Sequence, residues 1–249
     1  MSTQKEDRIR LAILILLEAF TIYSVIRFSL QGDMERILLS AVTVLLLFLP
    51  SFAERLLHCR FSQGFYILCM WFATSSMLGH SWRFYYMLPG WDKLMHLFAG
   101  FAFAMLGVFL PRLILKREPD NVLMTALFAL CFSMAVSVAW EFVEYSADTF
   151  FQMDMQSDAI VHTIRSYKLG DDPGVQGVIE NIEEVVINGE PLGVGGYIDL
   201  GRLDTMNDML FESAGALIYS LIFYLRGGKQ RVITYAPDHG FRKKKKKAK

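Results

Sequence analysis

Three short stretches of this sequence place acids and a histidine inside or beside apolar runs. The first is Trp91-Asp92-Lys93-Leu94-Met95-His96. The second runs from Trp140 through Glu141 and Glu144 to Asp148, and the third from Asp204 through Asp208 to Glu212. On a helix, Asp92 and His96 share one face, four residues apart. Glu141, Glu144 and Asp148 fall at i, i+3, i+7, and Asp204, Asp208 and Glu212 at i, i+4, i+8, so each set makes one stripe. Ionisable side chains are costly inside a bilayer and mark functional sites there by default. Oxygen ligands with one imidazole suit Mg²⁺, Mn²⁺ or Ca²⁺ better than Zn²⁺. A cation held by Asp92, His96, Glu141, Glu144, Asp148, Asp204, Asp208 and Glu212 would polarise phosphate oxygens, with His96 or Glu144 as the general acid–base group. Seven carboxylates cannot all be ionised and unpaired in one low-dielectric cavity. Either a cation sits among them, or several are protonated, or the cavity is wet.

Plainer roles compete residue by residue. Asp92 would serve as the N-cap of one helix, and Asp204 or Thr205 as that of another. Asp148 would simply be solvated beyond the bilayer edge. Glu141, Glu144 and Glu212 lie a turn or more inside the apolar runs, where capping does not account for them. His96 alone reads as a packed histidine; Asp92 beside it makes a ligand or acid–base role equally good. Trp91, Trp140 and Tyr145 read as interfacial belt residues. Glu18 stands isolated in the first apolar run.

These groups need elements to carry them. Of 249 residues, 53% are hydrophobic and 20% charged, and the apolar residues come in blocks. That places the chain among membrane proteins. Crossing about 30 Å of hydrocarbon takes roughly 20 apolar residues. Six runs qualify, near 11–30, 37–53, 65–82, 94–115, 122–145 and 206–225. The first is too long for a signal-peptide core and lacks a cleavage site. The fourth carries Ala99, Gly100, Ala102, Ala104 and Gly107, small residues that let helices approach closely. Cys59, Cys69 and Cys131 have no disulfide or zinc spacing and read as small apolar fillers.

Basic residues set the orientation. With the N-terminus inside, 18 of the 25 Lys and Arg fall on inner segments and 7 on outer ones, and the acids are biased the other way. Both termini are therefore expected in the cytoplasm, with all three acidic groups at the outer ends of spans four, five and six. The run Arg242–Lys249 is a basic tail, a topology signal and an attractor of anionic lipid.

The expected fold is all-α and polytopic, with six transmembrane helices and a small β-hairpin in the outer loop between spans five and six. Residues 1–149 hold spans one to five, 150–205 the outer loop, 206–226 span six and 227–249 the basic tail, in one membrane domain. In the loop, Met153 to Tyr167 reads as a mixed, partly helical stretch. Gly170-Asp171-Asp172-Pro173-Gly174 is a turn. Val178–Ile187 alternates up to Asn188-Gly189, a type I′ hairpin signal. Tyr197-Ile198-Asp199-Leu200 is placed to pair back. A loop of this length reads as a lid or binding loop.

Asp92-Lys93 with His96 and Gly100, Trp140-Glu141 with Glu144 and Asp148, then Asp204-Thr205, Asn207-Asp208-Met209 and Gly215-Ala216 resemble the YjdF-like family of bacterial inner-membrane proteins, related to the VanZ-like group. The resemblance covers about residues 85–225. It implies a multi-pass inner-membrane protein and no established reaction. The VanZ-like association with glycopeptide resistance hints at cell-envelope chemistry.

Three functions remain open. One is an outward-facing cation site that binds, or acts on, an envelope lipid or phosphate-bearing precursor. Another is transport of a cation or a proton-coupled solute. The third is a scaffold with residues 150–205 as recognition element. The lipid bilayer is the expected surrounding in each, and no nucleic-acid partner is expected.

Overall fold

The computed structural model describes residues 3–115, 120–229 and 233–235. The run Arg242–Lys249 lies outside the described residues. The chain divides into two units. One takes the described residues up to Ser137 together with those from Phe211 onward; the other is Val138–Leu210. Two helices, α7 (Val122–Phe151) and α8 (Arg202–Leu225), run unbroken from one unit into the other.

The first unit is a helical bundle. Helix α1 (Thr3–Gln31) is followed by α2 (Met34–Leu46) and α3 (Leu49–Leu56). The second apolar run is thus one span, Met34–Leu56, broken at Leu47–Phe48. Pro50 explains the break: it has no N–H to give and its ring clashes with the carbonyl four residues back, so it sits in the first turn of a new helix. A short strand, β1 (Cys59–Phe61), leads to α4 (Gln63–His80), then to the single turn α5 (Phe84–Met87) and to α6 (Trp91–Leu115). Strand β1 pairs antiparallel with the last described strand, Ile233–Tyr235.

Among the described residues, five helical segments are long and apolar enough to cross a membrane: Gln4–Gln31, Met34–Leu56, Trp91–Leu115, Val122–Phe151 and Arg202–Leu225. The expected third span exists as helix α4, but Gln63, His80 and four hydroxyls dilute its 18 residues, and it is not among the five. Its buried face includes Phe65, Tyr66, Met70, Thr74 and Met77. Arg10 ties α1 to the α3–α4 corner. It donates to the Glu54 carboxylate at 2.9 Å, to the Gln63 side chain at 3.0 Å and to the Phe61 carbonyl, and lies 4.4 Å over the Tyr66 ring. A buried guanidinium needs this complete set of acceptors.

Helix α6 lies against both α7 and α8 within this unit. A Cβ at Gly100 would stand 1.8 Å from the Glu212 carbonyl oxygen, and one at Gly215 would stand 1.9 Å from that of Leu97. Glycine at these two positions lets the α6 and α8 backbones touch. Ser133 of α7 donates to the Gly100 carbonyl at 2.9 Å. The core continues through Ala104, Val108, Ala129, Ala216, Tyr219 and Phe223, all buried.

The second unit holds the end of α7, a loop of short strand pairs and the start of α8. Strand β2 (Ala159–Val161) pairs with β7 (Tyr197–Asp199), β3 (Ile164–Ser166) with β4 (Gly177–Ile179), and β5 (Val186–Ile187) with β6 (Glu190–Pro191). The Asn188-Gly189 hairpin forms as expected, with both residues at positive φ (53° and 91°), as a type I′ turn requires. The expected turn at Asp172-Pro173-Gly174 also forms, with Val175 N–H donating to the Asp172 carbonyl and Gly174 at φ 88°. Met153 to Tyr167, read as a mixed stretch open to helix, instead contains strands β2 and β3, because Ile160 and Ile164 find partners further along the chain. Tyr197–Asp199 pairs back as expected, on β2. The alternation over Val178–Ile187 is interrupted at Asn181, whose left-handed backbone (φ 55°) turns Ile182 into a buried position.

Candidate cation-binding site

In the first unit, Asp92 sits in the first turn of α6 and His96 one turn further on. The two imidazole nitrogens of His96 face different carboxylates. Nε2 is 3.7 Å from Asp92 Oδ1, and Nδ1 is 3.7 Å from Glu212 Oε2 on α8. His96 is 9% exposed and Glu212 only 2%. The glycine contacts of Gly100 and Gly215 bring Glu212 this close: without a Cβ between them, the α8 backbone rests on α6 one turn past His96. Lys93 Nζ lies 3.1 Å from Asp92 Oδ2, leaving Oδ1 on the histidine side. The second Glu212 oxygen, Oε1, is buried with no hydrogen-bond partner among the described residues. Trp91 is not a belt residue. It is 6% exposed and packs edge-on to Phe84, with ring centres 5.0 Å apart, and tilted on Trp71 at 5.7 Å.

A carboxylate buried in the bilayer requires a compensating charge or full hydrogen bonding. Lys93 answers for Asp92. His96 is what faces Glu212 within this unit. Separations of 3.7 Å exceed normal hydrogen bonds. A ligating histidine commonly presents one nitrogen to a metal and gives its other N–H to a carboxylate, and this imidazole has a carboxylate on each side.

In the second unit, the predicted acids divide between loop anchoring and burial. Glu144 Oε1 accepts from Trp140 Nε1 at 2.7 Å. Both Asp148 oxygens are engaged by backbone, accepting from Met155 N–H at 2.6 Å and Gln156 N–H at 2.9 Å. They hold the chain as it leaves α7 through Gln152, which takes a left-handed φ of 53°. Asp204 Oδ2 accepts from Ser157 N–H at 2.9 Å, and the Gln156 amide donates to the Thr205 hydroxyl. These contacts fasten residues 155–157 to the first turns of α8. Asp199, which the spacing argument passed over, accepts from Leu203 N–H and from Arg202 Nε, both at 2.8 Å, and so tends the start of α8. Its position three residues before Arg202, at a glycine-containing corner, was the available signal. Glu141 and Asp208 are buried, 5% and 1% exposed. Asp208 lies on α8 one turn before Glu212. Near Asp148, Asp154 and Asp199, the Asp158 carboxyl is pushed above its ordinary value, first by lost hydration and then by these like charges. On the first unit's loop, burial pushes the Cys59 thiol up to about 11, with Glu54 adding to the effect. Cys59, Cys69 and Cys131 are all free.

Five membrane-length apolar helices among the described residues, with buried acids on α7 and α8 and a buried histidine on α6, define a membrane protein. The chain belongs to the family described as "Predicted membrane protein (DUF2238)", whose model matches residues 9–229. The match extends the expected resemblance back through the first helices, and it names a membrane protein family without naming the YjdF-like or VanZ-like relation. No curated protein and no solved structure matches the chain.

Proposed function

We propose that this is a six-span protein of the bacterial inner membrane, with both termini cytoplasmic, that holds a divalent cation at its outer side. Through that ion it binds, or acts on, an envelope lipid or phosphate-bearing precursor. The observation that supports this reading is His96, buried, with Asp92 facing one ring nitrogen and Glu212 the other. One ion cannot use both nitrogens of one imidazole. Because Asp92 faces Nε2, an ion shared by Asp92 and His96 would take Nε2. Glu212 would then accept from Nδ1–H, fix the tautomer and make the ring a better donor, the usual carboxylate–histidine–metal relay. Carboxylate oxygens with one imidazole suit Mg²⁺, Mn²⁺ or Ca²⁺. When bound, the ion supplies Lewis-acid polarisation of phosphate oxygens. Glu141 and Glu144 are buried on α7, and Glu144 takes a hydrogen bond from Trp140.

The test is the metal content of detergent-purified protein, loaded with Mn²⁺ and desalted, measured by mass spectrometry of the elements. Wild type should retain about one ion per chain. Asp92→Asn and His96→Gln should lose it, and Glu212→Gln should weaken retention by about 10–100-fold. No retained ion in wild type, or equal retention in all four proteins, would sink the proposal.

A further inference from the structure

A second site lies in the first unit, in a half-open cavity of about 340 Å³ lined by Glu35, Arg36, Leu39, His80, Arg83 and Tyr86. We infer that this cavity binds a phosphate-type oxyanion at the level of the lipid headgroups. The reading is independent of the cation site.

Three observations carry it. First, the lining sets two guanidiniums and an imidazole against one carboxylate. Arg36 is held from behind by Asp33, 3.2 Å from its Nε, and lies 5.6 Å over the Phe28 ring. Arg83 lies 5.4 Å over the Tyr86 ring and makes no ion pair among the described residues. A guanidinium offers a fork of donors matched to phosphate oxygens, and aromatic stacking leaves that fork available. Second, Arg83 sits at φ 62° and ψ 29°, left-handed backbone for a long side chain, between the end of α4 and the start of α5. Arginine costs more than glycine at such a corner, so the fold gains nothing locally from having it there. Third, the cavity opens where three helices of the bundle end or begin. Helix α1 stops at Gln31, α2 starts at Met34 and α4 stops at His80. Tyr86, 78% exposed, and Trp82, stacked on Phe20 at 5.2 Å, are residue types that favour the membrane interface.

The shared chemistry is a phosphate group; its source is either a phospholipid headgroup or free phosphate. The test follows the melting temperature of the full-length protein in a neutral detergent. The additions are inorganic phosphate, a short-chain phosphatidylglycerol, a short-chain phosphatidylcholine, and sodium chloride at matched ionic strength. The proteins are wild type, Arg36→Gln/Arg83→Gln and Arg83→Gly. Wild type should be stabilised in a saturable way by phosphatidylglycerol, by phosphate, or by both, beyond the effect of chloride. Stabilisation by the lipid alone assigns a headgroup site, and by phosphate alone a site for the free anion. Both glutamine substitutions together should abolish the response. Arg83→Gly should raise the basal melting temperature, because glycine accepts the left-handed corner, and still reduce the response at least several-fold. That separates binding from folding. No saturable stabilisation of wild type, or an equal response in Arg83→Gly, would overturn the inference.

Discussion

At the scale of single residues, the same side-chain type does different work according to what its oxygens meet. Asp148 and Asp204 accept backbone N–H groups of the loop, whereas Asp92 and Glu212 face an imidazole. Asp158 gives a pH-dependent consequence. Lost hydration and the neighbouring Asp154, Asp148 and Asp199 raise its carboxyl above the ordinary value. Between that ordinary value and the raised one, the folded protein binds the proton more tightly than the unfolded chain. Stability is therefore complete at lower pH and falls as pH rises through this window. Asp158→Asn should remove the fall. Amide hydrogen exchange at Ala159–Val161, compared between wild type and variant from acidic to neutral pH, should show the variant's relative protection growing with pH; a constant ratio would refute this. The spacing of acids was legible in the sequence, since i, i+3, i+4 and i+7 relations survive in any helix. What each oxygen binds was not. The hydrogen bonds of Asp148 and Asp204 depend on how residues 155–157 return along the helix ends, which no local pattern encodes.

At the scale of elements, the sequence was most legible where local chemistry dictates conformation. Helices α6, α7 and α8 follow the apolar runs, and Asn188-Gly189 makes its turn because both residues tolerate positive φ. Pro50 carried the signal for the break in the second run, in plain view, inside a stretch otherwise read as continuous. The pairing of β2 with β7 joins residues nearly forty positions apart and depends on the closed loop. The small residues of α6 were correctly placed inside the bundle, and Gly100 is the sharpest case. A Cβ there would stand 1.8 Å from the Glu212 carbonyl, so Gly100→Ala must separate α6 from α8. Overpacking of this kind costs about 1–3 kcal/mol. Thermal unfolding in detergent should show a lower melting temperature for Gly100→Ala, and cation retention should fall with it, because Glu212 moves with the α8 backbone. An unchanged melting temperature would mean that the two helices are not held by this contact.

At the scale of the whole molecule, the account rests on a membrane protein whose last two long helices carry buried acids, Glu141 and Glu144 on α7 and Asp208 and Glu212 on α8. Orientation is checked by labelling intact cells with a membrane-impermeant maleimide, in a background with Cys59, Cys69 and Cys131 replaced by serine. Val175→Cys lies at a 53% exposed loop position and should react from outside. Lys5→Cys should react only after the membrane is opened. The reverse pattern would invert the topology. The central claim is that His96 holds a cation through one nitrogen while Glu212 takes the other. Pulsed electron paramagnetic resonance of Mn²⁺ bound to the purified protein tests it most directly. The account predicts the modulation of a single directly bound ¹⁴N, present in wild type, retained in Glu212→Gln at the higher Mn²⁺ concentration that variant needs, and absent in His96→Gln. Bound Mn²⁺ without nitrogen modulation, or modulation unchanged in His96→Gln, would contradict it.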